Sequence, residues 1–395
     1  MAFINSFGHE FTLPEGKIYL DSATMGKMPV SSLDKMISYF REVNGAAVRS
    51  VSQEVSVALK VLESSRKDVM DFFNIKESHV SFFPTREIAL TNALFSLENM
   101  KERKIISSIL EEHSMLAPAI RTHSTFGTEL DYLSIDDEHD LIPSLQEKIN
   151  NVGDIVLLSS LTVTNGVKRN WEEINKLCKE TGSIFILDIS QTIGHQEIDL
   201  SKASPDLVLS SGCMGALGPQ GTAFQIASPE MYEKMDPLLV GNGSVIALEE
   251  NLYILEKSDS RFEPGIINVP GITALANSLK VLADIGLEKI AKHEKKLEET
   301  LRSELRNIPS ITLMETEGLD TGSIISFGCD KFEAHDVAII LEDMRNIVLR
   351  SGALCSHLFM YELEYNDLVR ISTHLYNTEE EIAIFLETLG KVMSS

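Results

Sequence analysis

The stretch SSGCMGALGPQGTAF, residues 210–224, carries four glycines and a proline just behind the apolar run DLVLSSG. Glycine gathers where backbone must come close to something, and a phosphate is a frequent neighbour. Other polar groups fall at comparable places. Asp188 closes the run IFIL, Ser210 and Ser211 close LVL, and Thr85 stands in FFPTRE, just ahead of a helical stretch. A helix N-terminus offers unpaired N–H groups that favour an anion. By spacing alone, these residues describe a crevice between two domains that takes a phosphate-bearing ligand.

Such residues need an open α/β sheet to carry them. KIISSIL (104–110), DIVLLSSL (154–161), SIFILDIS (183–190), DLVLSS (206–211) and TAFQIA (222–227) are short, β-branched and apolar on both faces. Strands buried between two helix layers have this character. Helical stretches separate them at 54–73, 86–101, 141–150 and 171–181, the last stopped by Gly182. Alternation of this kind predicts a doubly wound, mostly parallel sheet. The last third differs. Long amphipathic helices (272–286, then 287–308) precede the short strands GSIISFG, NIVLRSG and LVRISTHL, and the chain closes on a helical run. We therefore expect a large domain over residues 16–275. A smaller α+β domain is expected from residues 1–15 with 276–395.

Composition narrows the function. The 395 residues carry 35 Lys and Arg against 59 Asp and Glu, a net charge of −24. That field repels nucleic acid and anionic membrane surfaces, so neither is an expected partner. The most basic stretch, 292–306, alternates bases with acids at helical spacing, as a solvated helix face does. No apolar run is long enough to span a membrane, and the first residues do not resemble a signal peptide. Cys178, Cys213, Cys329 and Cys355 form no CxxC pair and fit no zinc spacing, so no metal is expected and a reducing cytoplasm is.

Taken in order, these segments resemble the class V aminotransferase superfamily of fold-type I pyridoxal phosphate (PLP) enzymes. The nearest branch is that of cysteine desulfurases, selenocysteine lyases and isopenicillin N epimerase-like proteins. IYLDSATMGKMP (18–29) resembles the opening YLDNAATTPMP, and FFPTREIAL (82–90) resembles the cofactor-phosphate turn FTRGTTEAIN. EEHSMLAP (111–118) resembles EHHSNLLP, and ILDISQTIGHQEID (186–199) resembles VVDAAQSVGHIPVD. LVRISTHLYNTEEEI (368–382) resembles VRASFYLYNTEEEI. The resemblance covers nearly the whole chain. It implies a PLP-transferase fold with a seven-stranded-type sheet, and a homodimer with each site built across the interface.

The resemblance also implies roles. His113 would stack on the pyridine ring, Asp188 would pair with its nitrogen, and Gln191 would bond its phenolic oxygen. Thr85 and Ser211 would bind phosphate, Arg86 belongs to the cofactor-binding set, and Arg370 would grip a substrate carboxylate. Cys355, in VLRSGALCSHLFM (348–360), matches the cysteine that attacks sulfur in desulfurases. Each has a plainer reading. Asp188 and Gln191 could be strand-end and turn residues, and His113 a core histidine. Arg370 could serve an inter-domain ion pair, and Cys355 could be a small hydrophobe.

The glycine-rich loop resembles SGHKWLGGPKGTGF, in which the lysine bonds PLP. Here that His-Lys pair is Cys213-Met214. A thioether forms no Schiff base and moves no proton. Met214 then reads as a hydrophobe filling the vacated space. Neighbouring contacts have changed too, with Val163 and Ile266 at positions where the family carries Asn and Thr. Lys168 is the nearest downstream lysine, in a loop leading into the next helix, and a substitute base would have to come from it or from His195 or His374. We expect a family member without PLP–lysine chemistry, a pseudoenzyme that binds a small amino or keto acid or a protein partner. The alternative is an enzyme acting on amino acids with PLP, or its amine form PMP, held without a covalent bond.

Overall fold

The apolar runs pair into a seven-stranded sheet. In this computed structural model, which describes residues 10–394 apart from 14, 49 and 316, the strand order is His79–Phe83, Ala223–Ala227, Leu207–Ser211, Ile184–Asp188, Ile155–Ser159, Lys104–Ser108, Glu129–Leu133. Ala223–Ala227 runs antiparallel to both its neighbours, and every other pairing is parallel. Five of these strands lie within the runs expected from sequence. His79–Phe83 and Glu129–Leu133 do not. HVSFF is cut short by Pro84, and ELDYL is a half-exposed edge strand with alternating polarity. The central strands are buried on both faces, with one cluster of apolar side chains on each side.

Local sequence sets the helix ends. Ser52, Thr85, Asn170, Ser228 and Asn268 each cap a helix by accepting an N–H three residues on. Gly182, at φ 71°, closes the helix Trp171–Thr181 in the left-handed conformation that glycine adopts without strain. The helices Val30–Glu42 and His113–Phe126 lie outside the helical stretches read from sequence. The second holds Pro118 in its interior, which masks it in a propensity reading.

The last third builds an antiparallel four-stranded sheet, ordered Ile311–Leu313, Ile324–Cys329, Leu368–Ser372, Arg350–Gly352. Its own apolar cluster includes Leu297, Phe327, Val337, Ile371 and Phe385. The division expected between residues 275 and 276 falls inside the continuous helix Val269–Ile285, which packs on Val30–Glu42 and Gln53–Phe72. Of the amino-terminal piece expected in the smaller domain, residues 1–9 and 14 lie outside the described residues. Among the described residues no helix is long and apolar enough to cross a membrane.

Candidate functional site

The carboxyl ends of the parallel strands converge. Lys104–Ser108 leads to His113, Ile184–Asp188 to Gln191, and Leu207–Ser211 to Cys213 and Met214. The start of the helix Arg86–Phe95 and the smaller sheet's strand Leu368–Ser372 bring Arg86 and Arg370 to the same region. A crevice at this end of an α/β sheet is the ordinary place for a ligand.

The loop at 212–218 is held by its own backbone. Gly26 N–H donates to Cys213 O at 2.8 Å, Gly215 N–H to Ser190 O at 3.2 Å, and Leu217 N–H to Met214 O at 3.0 Å. A Cβ on Gly215 would strike Ile193 O, and one on Gly194 would strike Gly215 O. The two turns therefore interlock through glycine. The Met214 side chain enters only as an acceptor, its Sδ lying 3.4 Å from Gln191 Nε2.

Arg86 dominates the electrostatics. Its guanidinium is 4% exposed and donates to Asp188 Oδ2 at 3.0 Å and to Glu112 Oε1. The other Asp188 oxygen accepts the Ser190 N–H at 2.7 Å, so both oxygens are used. Gln191 Nε2 also donates to Ala23 O at 2.9 Å. Ser211 Oγ lies 3.5 Å from Cys213 Sγ, and Thr85 Oγ1 is occupied as the helix cap. His113 is exposed and stacks on His357, with ring centroids 4.8 Å apart and Nε2 2.9 Å from His357 Nδ1. Partial burial, and then the second imidazole, hold His113 below the ordinary histidine range.

Arg370 is buried and faces Asp21. Nη2 donates to Thr24 Oγ1 at 2.8 Å and to Asp21 Oδ1 at 3.3 Å, while Nε has no partner. Burial works against its charge, and Asp21 supports it. Cys355 is exposed in a left-handed turn, with Leu354 at φ 52° and Cys355 at φ 57°. Its carbonyl accepts the His113 N–H at 2.9 Å.

A family model described as aminotransferase class V matches residues 18–385. The chain belongs to the class V aminotransferase family. Among class V relatives it is 31% identical to a probable cysteine desulfurase of Pyrococcus abyssi, over 98% of this chain and 96% of that protein. A second probable cysteine desulfurase, of Methanothermobacter thermautotrophicus, is 28% identical over 95% and 94% of the two chains. The apo structure of a cysteine desulfurase from Thermococcus onnurineus superposes with a TM-score of 0.92 at 28% identity, covering 99% of this chain and 98% of that one. The fold is thus that of the PLP-dependent transferases of fold type I.

In this class V crevice the residues that would hold PLP already have partners within the chain. A pyridine nitrogen would have to share the Asp188 carboxylate with the Arg86 guanidinium and the Ser190 N–H. A ring oxygen needs the Gln191 amide, which is spent on Ala23 and Met214. His113 stacks on the His357 imidazole, which covers one face of its ring. Met214 supplies neither an amine nor a proton.

The structure therefore gathers the residues singled out from sequence, and most already have partners within the chain. Three contributors escaped the sequence reading: Glu112, His357 and Asp21 as the partner of Arg370. All three lie inside quoted motifs, Asp21 in 18–29, Glu112 in 111–118 and His357 in 348–360. Only their packing against residues far along the chain gives them a role.

Proposed function

We propose that this chain is a class V aminotransferase-like pseudoenzyme. It has given up PLP–lysine chemistry and keeps the crevice as a binding site for a small amino or keto acid. The observation that carries this reading is the buried Arg86–Asp188 ion pair, because it balances the charge of the carboxylate that a cofactor ring nitrogen would use. Loss of one amine at position 214 would leave that carboxylate free. An arginine placed against it goes further, since it neutralises the group from within. Arg370 supports the acid-binding half of the proposal. Its Nε is buried and without a partner, and a ligand carboxylate would satisfy it.

The chain works as a cytoplasmic homodimer in this reading. The hairpin Val245–Glu249 with Leu252–Leu255 exposes Leu248, Leu252 and Tyr253, and Ile266 is 74% exposed nearby in sequence. Apolar side chains of this size are covered in stable assemblies. Light scattering should report twice the chain mass, and a monomer would remove this part of the proposal.

A titration of the purified protein with PLP and PMP tests the central claim, followed by absorbance, borohydride reduction and intact mass. The expected result is no cofactor absorbance and no added mass. A raised melting midpoint with a small amino or keto acid should accompany it, and Arg370→Met should abolish that shift. A yellow protein that loses its colour on adding an amino acid would overturn the reading. It would point instead to an enzyme of the transamination, desulfuration or epimerisation type.

A further inference from the structure

Behind the Met214 loop, three side chains from distant stretches meet. His195 follows the turn after Ile184–Asp188, Glu294 lies in the helix Leu287–Leu305, and His374 follows the strand Leu368–Ser372. One ligand atom from each lies within 4.8 Å of the others. His195 Nδ1 is 2.7 Å from Glu294 Oε2, and His374 Nδ1 is 3.3 Å from Glu294 Oε1.

The proton positions on His374 are fixed by its partners. Nε2 lies 3.2 Å from Gly215 O, and a carbonyl only accepts, so Nε2 carries the hydrogen. Nδ1 accepts the Leu375 N–H at 2.8 Å, so that nitrogen carries a lone pair. The same nitrogen faces Glu294 Oε1, which is buried and has no hydrogen-bond partner. An acceptor thus faces an acceptor in a buried place, and something positive belongs between them. An imidazole that donates its far N–H to a backbone carbonyl is the usual posture of a metal-binding histidine.

We propose that His195, Glu294 and His374 form a site for a divalent cation of the zinc type. Two imidazoles and one carboxylate are a zinc donor set, and a water commonly supplies the fourth ligand. Ligand bonds of about 2.0–2.2 Å put tetrahedral ligand atoms roughly 3.3 Å apart, so small rotations of the three side chains bring them into place. The metal takes over from the Leu375 N–H as the partner of Nδ1. A cavity of about 40 Å³, lined by Lys168, Gln191, Thr192, His195, Glu294 and Lys295, adjoins the cluster. It has room for the fourth-ligand water and gives a route inward. The ligands come from the loop behind the large sheet, a long helix and the end of a small-sheet strand, so the ion acts as a clasp between the two sheets.

The test uses untagged full-length protein stripped with a chelator and dialysed. Zinc binding is followed by competition with a chromogenic chelator, metal content by mass spectrometry, and geometry by the visible spectrum of the cobalt-loaded protein. The expected result is a single zinc per chain, an intense cobalt spectrum of tetrahedral type, and a melting midpoint raised by zinc. Glu294→Gln and His195→Asn should each weaken binding by roughly 100-fold or more. No zinc uptake by the wild type would overturn the proposal and leave a shared proton as the occupant. Equal uptake by the variants would overturn it too. Should a variant fail to fold, the wild-type cobalt spectrum still decides, since a spectrum of six-coordinate, water-like cobalt excludes these ligands.

Discussion

Removing the Arg86 guanidinium should destabilise this protein more than most single substitutions. Arg86→Met keeps the length and the burial but deletes the charge. The Asp188 side chain is 1% exposed, so solvent cannot replace the lost partner. Two charges about 4 Å apart attract by roughly 4 kcal/mol at the effective dielectric of such sites. The Ser190 N–H stays on Asp188 Oδ1 and offsets a fraction of the loss. Glu112, with its side chain 13% exposed, loses a partner as well but keeps some contact with water. The expected cost is about 3–5 kcal/mol, the range for a buried ion pair deprived of one member. Asp188→Asn should cost less, because Arg86 keeps Glu112. The double variant should recover much of the first loss, giving a coupling of about 2 kcal/mol or more in a double-mutant cycle. Urea and thermal unfolding of the four proteins would measure it. If the two substitutions simply add, or if Arg86→Met matches the wild type, the pair does not hold the crevice as argued.

Three further expectations follow from the same geometry. Met214→Lys alone should not take up PLP, whereas Met214→Lys with Arg86→Thr should gain an adduct trapped by borohydride, seen by intact mass. Gly194→Ala should cost about 2–3 kcal/mol in thermal unfolding, because the new Cβ strikes Gly215 O at a residue with φ 80°. The metal-free protein should lose stability as pH rises from about 6.5 to 8. Burial raises the Glu294 carboxyl to about 8, so the folded chain holds a proton that the unfolded chain has released. His195 and His374 are pushed down by burial to about 4 and about 3, so their contributions change mainly below the ordinary histidine range. Glu294 is then the group of this cluster that titrates in the window. The slope peaks at about 0.8 kcal/mol per pH unit near pH 7.5, because the two histidines of the unfolded chain still hold part of a proton there, and Glu294→Gln should remove it in chelator-treated samples melted at several pH values.

Much of the fold was legible because buried strands leave a plain mark. Ile155–Ser159 and Ile184–Asp188 are apolar at nearly every position, and nothing but a two-sided burial explains them. Glu129–Leu133 left no such mark, since an edge strand with one wet face mixes polar and apolar residues. In the crevice, the positions of Asp188 and Ser211 followed from strand ends, and those of Gln191 and Met214 from the family motifs they resemble. Their partners did not. Arg86 and Asp188 are 102 residues apart, and His113 and His357 are 244 apart. Nothing local in either segment announces such a pairing. The same is true of His195, Glu294 and His374, which come from three elements with no shared spacing.

The backbone clamp around residue 214 separates two properties that catalytic sites usually combine. The loop keeps its shape through main-chain bonds to Gly26 and Ser190, through the His374 imidazole on Gly215 O, and through glycines that only fit one way. The side chain at 214 contributes almost nothing to that shape. Chemistry can therefore be exchanged there at little structural cost, and a change that ends one reaction leaves the architecture intact. Close superposition on working enzymes is what such a scaffold produces whether or not the reaction survives. For proteins built this way, overall shape records ancestry, and the identity of a single side chain records present use.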